Sequence, residues 1–299
     1  MMKKPIFTGV ATALITPFDE NGKIDYKKFA DLVEFQISSG INALVVCGTT
    51  GEASTLTDDE HKDAISFVVK QTAGRVPVIA GTGSNDTAYA IWLTKHACEV
   101  GADAVLLVTP YYNKATQKGL IKMYTEIADN CSVPIILYNV PSRTGVSIEP
   151  ETYLALADHP NIYAIKEANG NISKIAETQA LVGDKLDMYS GNDDQIVPIM
   201  SLGGKGVISV LSNVMPAETV AICDKFFAGD IEGSRKLQLE LMPLIKALFC
   251  EVNPIPVKCA MAKMGYTANV LRSPLCEMEA KNEEKLVKCM KDLGIKIEE

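Results

Sequence analysis

The chain has 299 residues, with 29 Lys and Arg against 37 Asp and Glu, a formal net charge of -8 and 47% hydrophobic residues. Its cations are scattered rather than gathered into a basic stripe, which excludes a nucleic-acid groove. The length suits one large α/β barrel or two ordinary domains. No apolar run reaches the ~18 residues of a membrane-spanning helix, and "MMKKPIFTGV" has only a brief apolar segment, so a cytoplasmic location is expected.

From the N-terminus, eight short apolar runs recur with helix-length segments between them: "FTGVATAL" from Phe7, "INALVVCG" from Ile41, "PVIAGTG" from Pro77, "ADAVLLVTP" from Ala102, "PIILYNV" from Pro134, "NIYAIKE" from Asn161, "KLDMYSG" from Lys185 and "KGVISV" from Lys205. Near-continuous apolar strands alternating with helices call for a parallel sheet covered by helices, and eight such units close into a (β/α)8 TIM barrel. A flavodoxin-like or Rossmann sheet needs fewer strands, and no GxGxxG follows the first one. Helix starts are marked by Thr57-Asp58-Asp59-Glu60, a T-x-x-E capping box, and by Ser84 or Asn85, whose helix stops at Gly101. After Val210 the pattern is helical only, through "MPAETVAICDKFFAGD", "SRKLQLELMPLIKALFC" and "CEMEAKNEEKLVKCMKDLG". The expected organisation is a catalytic barrel over 1–210, then a last barrel helix and a C-terminal helical extension over 211–299, packed on the barrel without a flexible linker.

Cys47, Cys98, Cys131, Cys223, Cys250, Cys259, Cys276 and Cys289 form no CxxC pair, and His61, His96 and His159 fall at no zinc spacing. Neither a metal nor a structural disulfide is expected, and most of the thiols read as small core hydrophobes.

Chemistry in such a barrel sits at the C-terminal strand ends. The second run ends in Gly48-Thr49-Thr50-Gly51-Glu52, the fourth in Pro110-Tyr111-Tyr112-Asn113, the fifth in Tyr138-Asn139-Val140-Pro141-Ser142-Arg143, the sixth in Lys166-Glu167 and the seventh in Ser190-Gly191-Asn192. Each has a plainer reading alone. Lys166 can pair with Glu167 or reach for water, paired threonines can satisfy a turn, tyrosines can be core rings, and an arginine in "PSRTG" can be a solvated loop residue. "GGKG", Gly203 to Gly206, precedes its strand and reads as a turn rather than a phosphate cradle. Together, however, hydroxyls, a guanidinium and one lysine fall on one rim. A desolvated, neutral Lys166 can add to a ketone and lose water to give an iminium, which acidifies the adjacent carbon. Tyr138, on the neighbouring strand, suits proton transfer, with Thr49 connecting it to a second tyrosine. Thr50 and nearby N–H groups suit one carboxylate, and Arg143 suits a second by bidentate pairing.

The motifs "GVATALITPF", "GTTGE", "GTGSN", "TPYYN", "ILYNVPSRTG", "IKEANGN", "SGND", "GGKGVISV" and "NPIPVK" run through essentially the whole chain, which resembles the dihydrodipicolinate synthase family of pyruvate-dependent class I aldolases. The resemblance implies condensation of pyruvate with L-aspartate-4-semialdehyde, the first committed step toward diaminopimelate and lysine, without an external cofactor. It implies Lys166 as the Schiff-base lysine and Tyr138, Thr49 and Tyr112 as a proton relay, with Tyr112 donated across a subunit interface of a homotetramer built as a dimer of dimers. By the same resemblance, Thr50 holds the pyruvate carboxylate, Arg143 holds that of the semialdehyde, and Gly191 and Ile208 line the pocket. The nearest rival, N-acetylneuraminate lyase, shares the barrel and lysine but not the arginine of "VPSRTG". A non-catalytic, ligand-sensing barrel fits poorly with an intact lysine, tyrosine and threonine set.

The resemblance also places a lysine-binding regulatory pocket at Ala53, Ser54, Asp58, His61, Asn85, Tyr89 and Tyr111. Lysine-sensitive members of one large group carry histidine and glutamate where this chain has Asp58 and Tyr89. Without that glutamate, the ligand's ammonium loses a charge-complementary partner. Lysine is therefore predicted to inhibit weakly or not at all, and half-maximal inhibition at sub-millimolar lysine in a turnover assay would contradict this.

Overall fold

The computed structural model describes residues 3–298. Its strands are β1 (Gly9–Ala13), β2 (Ala43–Val46), β3 (Val78–Gly81), β4 (Ala104–Val108), β5 (Ile135–Asn139), β6 (Ile162–Glu167), β7 (Asp187–Ser190) and β8 (Gly206–Ser209). They close in chain order into an all-parallel barrel, β8 pairing back to β1. Each falls within one of the apolar runs. The reason is visible in the burial: side chains alternate between a core inside the barrel and one beneath the helices, so both faces demand apolar residues. The outer core takes Leu44, Val46, Leu107 and Leu137, among others, whereas the inner core mixes larger residues such as Ile79, Leu106 and Ile136 with the small side chains of Ala11, Ala13, Ala43, Ala104 and Ala164. Small residues inside leave room for the long side chains that enter from β5, β6 and β7.

The helix Asp58–Thr72 starts at the expected capping box, Thr57 Oγ1 accepting from Glu60 N (3.3 Å) and Glu60 Oε2 from Thr57 N (2.9 Å). The next helix, Thr87–Glu99, is capped by Asp86, not by Ser84 or Asn85; Asp86 Oδ1 accepts from Ala88 N (2.9 Å) and Tyr89 N (3.3 Å). Ser84 instead receives Asp86 N (3.1 Å), so it shapes the turn one step earlier. Gly101 follows this helix in the left-handed conformation, φ +88°.

Beyond β8, Pro216–Phe227 packs on β1, Ile231–Leu248 packs on Pro216–Phe227, and Ala280–Asp292 packs on Ile231–Leu248, burying Leu286 and Met290. A further helix, Ile255–Lys263, was not apparent from periodicity. Its start is obscured by Pro254 and Pro256, which a first turn tolerates because those N–H groups have no helical partner. Among the described residues, no helix is long and apolar enough to cross a membrane.

The "GGKG" segment is the turn that seals the barrel: Lys205 N donates to Met188 O (2.7 Å) and Gly9 N donates to Lys205 O (2.9 Å). Gly206 has φ +140°, and a Cβ there would lie 1.8 Å from Gly9 O. Since neither backbone can move without opening the β8/β1 seam, Gly206→Ala should destabilise the fold by about 3 kcal/mol or more. Urea unfolding measures this, and a loss below about 0.5 kcal/mol would show that the seam is not tightly fixed.

Candidate active site

Lys166 lies near the end of β6, paired with Tyr138 of β5 on one side and Tyr189 of β7 on the other. It is 6% exposed, and its Nζ lies 4.1 Å from the centroid of the Tyr138 ring. Glu167, the next residue, faces away. Its carboxylate accepts from Asn139 Nδ2 (3.0 and 3.1 Å), Asn169 N (2.8 Å) and Tyr153 Oη (3.3 Å), and burial raises its pKa to about 7. The plainer reading of Lys166 as the partner of Glu167 is thus overturned by strand alternation.

Burial lowers the Lys166 pKa to about 7; the nearby Asp193 carboxylate opposes that shift and the Arg143 charge reinforces it. Asp193 is itself buried, with Oδ2 accepting from Val210 N (3.0 Å) and Leu211 N (2.9 Å). Burial also raises the phenol of Tyr138, against the favourable influence of the Arg143 charge and the Thr49 hydroxyl. An amine close to half-neutral at pH 7 beside a buried phenol is the equipment for carbonyl addition and proton transfer.

The Gly48–Glu52 loop that carries Thr49 and Thr50 is tightly wound. Cys47 and Glu52 have positive φ (55° and 52°), Gly51 N donates to Gly48 O (3.1 Å), and Thr16 Oγ1 donates to Gly51 O (2.7 Å). Glu52 anchors the loop from below, Oε1 paired with the fully buried Lys258 Nζ and Oε2 accepting from Arg272 N (3.1 Å). Lys258 and Arg272 both stack on Phe18, at 3.8 and 4.4 Å from its ring centroid, and Arg272 pairs bidentately with Glu60 (2.6 Å each). On the other side, Asn253 Nδ2 donates to Thr50 Oγ1 (3.1 Å), while Arg143 Nη2 donates to Asn253 O (3.0 Å). One asparagine therefore joins both groups expected to hold carboxylates.

Gly191 N donates to Glu167 O (2.7 Å), and a Cβ on Gly191 would lie 2.8 Å from Ala168 Cβ, so this strand end admits no side chain. Ile208 is buried in the inner core. A cavity of about 450 Å³ is lined by Thr49, Tyr138 and Arg143 and extends to Ala53, Ser54, His61, Tyr89 and Tyr111. Thr49, Tyr138 and Arg143 thus open on the same space as Ala53, Ser54, His61, Tyr89 and Tyr111, whereas Lys166 and Thr50 do not line it. Beside it, Tyr89 Oη donates to Asp58 Oδ1 (2.9 Å) and Asn85 Nδ2 to Tyr111 O (3.2 Å). The two departures from the lysine-sensitive pattern satisfy each other. Tyr112 is not brought to Lys166 within the chain: it is 93% exposed, with φ +68°.

Sequence reasoning missed Asp193, Asn253 and the Glu52–Lys258 pair. Asp193 stood inside "SGND" and Asn253 inside "NPIPVK", quoted only as motifs; a buried lysine in an otherwise apolar helix was the signal available for Lys258. Among the described residues, no group of three or more His, Cys, Asp or Glu side chains forms a metal-ligand set.

Comparison with known proteins identifies the family and the fold. A model of the Dihydrodipicolinate synthetase family matches residues 6–293. The chain is 56% identical to the 4-hydroxy-tetrahydrodipicolinate synthase of Caldicellulosiruptor saccharolyticus, over 99% of this chain and 100% of that protein. Among solved structures, dihydrodipicolinate synthase from Aquifex aeolicus superposes with a TM-score of 0.96 at 45% identity, covering 98% of this chain and 100% of that one. A monomeric dihydrodipicolinate synthase variant superposes with a TM-score of 0.95 at 44% identity, covering 97% and 98%. With the family match spanning nearly its whole length, the chain belongs to the dihydrodipicolinate synthetase family.

Proposed function

We propose that the protein condenses pyruvate with L-aspartate-4-semialdehyde to 4-hydroxy-tetrahydrodipicolinate, within the barrel of 1–210, with 211–299 supporting its active-site loop. The observation that carries this reading is the buried, pKa-lowered Lys166 beside Tyr138. The neutral amine adds to the pyruvate ketone, and loss of water gives the iminium. Tyr138, relayed by Thr49, moves the protons of that dehydration and of the step from methyl carbon to enamine. The enamine carbon attacks the aldehyde; the amino group of the second substrate then displaces Lys166 from the imine carbon and closes the ring. The iminium serves as the electron sink, so the chemistry calls for no external cofactor.

Thr50, oriented by Asn253, receives the pyruvate carboxylate; Gly191 and Ile208 shape the wall beside it. Arg143 receives the semialdehyde carboxylate, which favours this acceptor over the sugar product chemistry of N-acetylneuraminate lyase. Tyr112, solvent-facing in the single chain, is assigned to a partner subunit's relay in a homotetramer built as a dimer of dimers. In this arrangement the regulatory positions keep the Asp58–Tyr89 hydrogen bond in place of an acidic group free to bind an ammonium.

Two outcomes test the assignment. Arg143→Ala should reduce kcat/KM for the semialdehyde by about 10- to 100-fold, the scale of a lost charge-assisted hydrogen bond, and reduce pyruvate imine formation far less, since it touches that step only through Asn253 and the Lys166 pKa. Equal losses in both would remove its role. Because Lys166 must be neutral to attack and its pKa lies at about 7, single-turnover imine formation should rise with pH through that value and then level off. An inflection near the ordinary lysine value of ~10.4 would contradict the desolvated amine.

A further inference from the structure

Cys98 and Cys131 lie outside the site described above, at the base of the barrel. Cys98 is in the last turn of Thr87–Glu99, half-buried; Cys131 is buried in the turn between Gln117–Asp129 and β5. Both are reduced, and their sulfurs are 3.9 Å apart. The turn is held firmly: Asn161 Nδ2 donates to both Cys131 O (2.7 Å) and Ala128 O (3.1 Å), and Cys131 Sγ lies 3.2 Å from Val133 O. We propose that Cys98 and Cys131 form a dithiol site that reacts with low-molecular-weight disulfides and closes reversibly into an intramolecular disulfide.

The two thiols are unequal. Donors from the 131–133 turn converge on Cys98: first the Cys131 thiol, then the Ser132 hydroxyl and the N–H groups of Ser132 and Val133. They hold its pKa down to about 5, whereas the shared contact and burial push Cys131 up. Cys98, the more exposed of the two and the one whose pKa is lowered, is the attacking thiolate, and the buried Cys131 is the resolving thiol. In the first step, Cys98 attacks one sulfur of the disulfide RSSR; the S–S bond breaks and RS⁻ leaves, taking a proton to become RSH. In the second, Cys131 loses its proton and attacks the Cys98 sulfur of the mixed disulfide, releasing the second RSH. Two protein thiols are oxidised and one RSSR is reduced to two RSH. The sulfurs must approach by about 2 Å, within reach of a side-chain rotation.

The full-length native protein, incubated with glutathione disulfide, quenched by alkylation and mapped by peptide mass spectrometry, provides the test. The expected product is a cross-linked pair of peptides containing Cys98 and Cys131, about 2 Da lighter than the dithiol and reopened by dithiothreitol. Cys131→Ser should accumulate glutathione on Cys98, and Cys98→Ser should leave Cys131 unmodified. Adducts confined to the exposed Cys250 and Cys276, or a stable glutathione adduct on Cys98 of the unsubstituted protein without the cross-link, would overturn the proposal. No turnover is measured, so neither result depends on the reaction assigned to Lys166.

Discussion

An ammonium enclosed by a barrel loses the water that keeps it charged, and this desolvation of Lys166 is the constraint on which the rest of the site depends. It arises directly from the fold. Strand alternation turns Lys166 inward and Glu167 outward, so the nearest carboxylate in sequence cannot neutralise the amine. Glu167 is instead satisfied by Asn139, Tyr153 and the Asn169 N–H behind the barrel wall. Asp193 remains the countering charge, and its own Oδ2 is fixed by two backbone N–H groups. Burial and the Arg143 charge bring the amine's pKa down to about 7 against the opposing pull of Asp193.

A lone amine has no selectivity, and the Gly48–Glu52 loop is the element that would provide it. That loop depends on residues far away in sequence: Lys258 and Arg272 hold Glu52, while Asn253 reaches Thr50 and Arg143. A fully buried ion pair such as Glu52–Lys258 stabilises little by its presence, yet removing one partner typically costs about 3–5 kcal/mol because the other is left charged and unpaired. Its effect here is to fix one loop geometry. The C-terminal segment therefore belongs to the same physical unit as the strand ends, since Asn253, Lys258 and Arg272 set how the Gly48–Glu52 loop lies.

The strands were legible because burial on both faces leaves short apolar runs bounded by turns, a local signal. The same was true of Lys166, whose charge interrupts such a run, and of the Thr57 capping box. Legibility failed where several local solutions were chemically equivalent, as among Ser84, Asn85 and Asp86, and the path of the chain decided that Asp86 is the cap. It failed again where a residue's role is defined across the fold: Asn253 meets Thr50 from a position 203 residues away, and nothing near it in sequence marks that contact. The helix Ile255–Lys263 was hidden by its prolines and by a lysine whose partner lies across the barrel rim. Tyr112 was singled out through resemblance alone, and within one chain it faces solvent.

The most direct measurement of the central claim is borohydride reduction of the protein in the presence of pyruvate, followed by intact-protein and peptide mass spectrometry, with Lys166→Ala as the control. A reduced pyruvate adduct confined to Lys166, and absent from the folded control, is the predicted result. Folded, unsubstituted protein that gains no adduct would show that Lys166 is a structural lysine and would contradict the account.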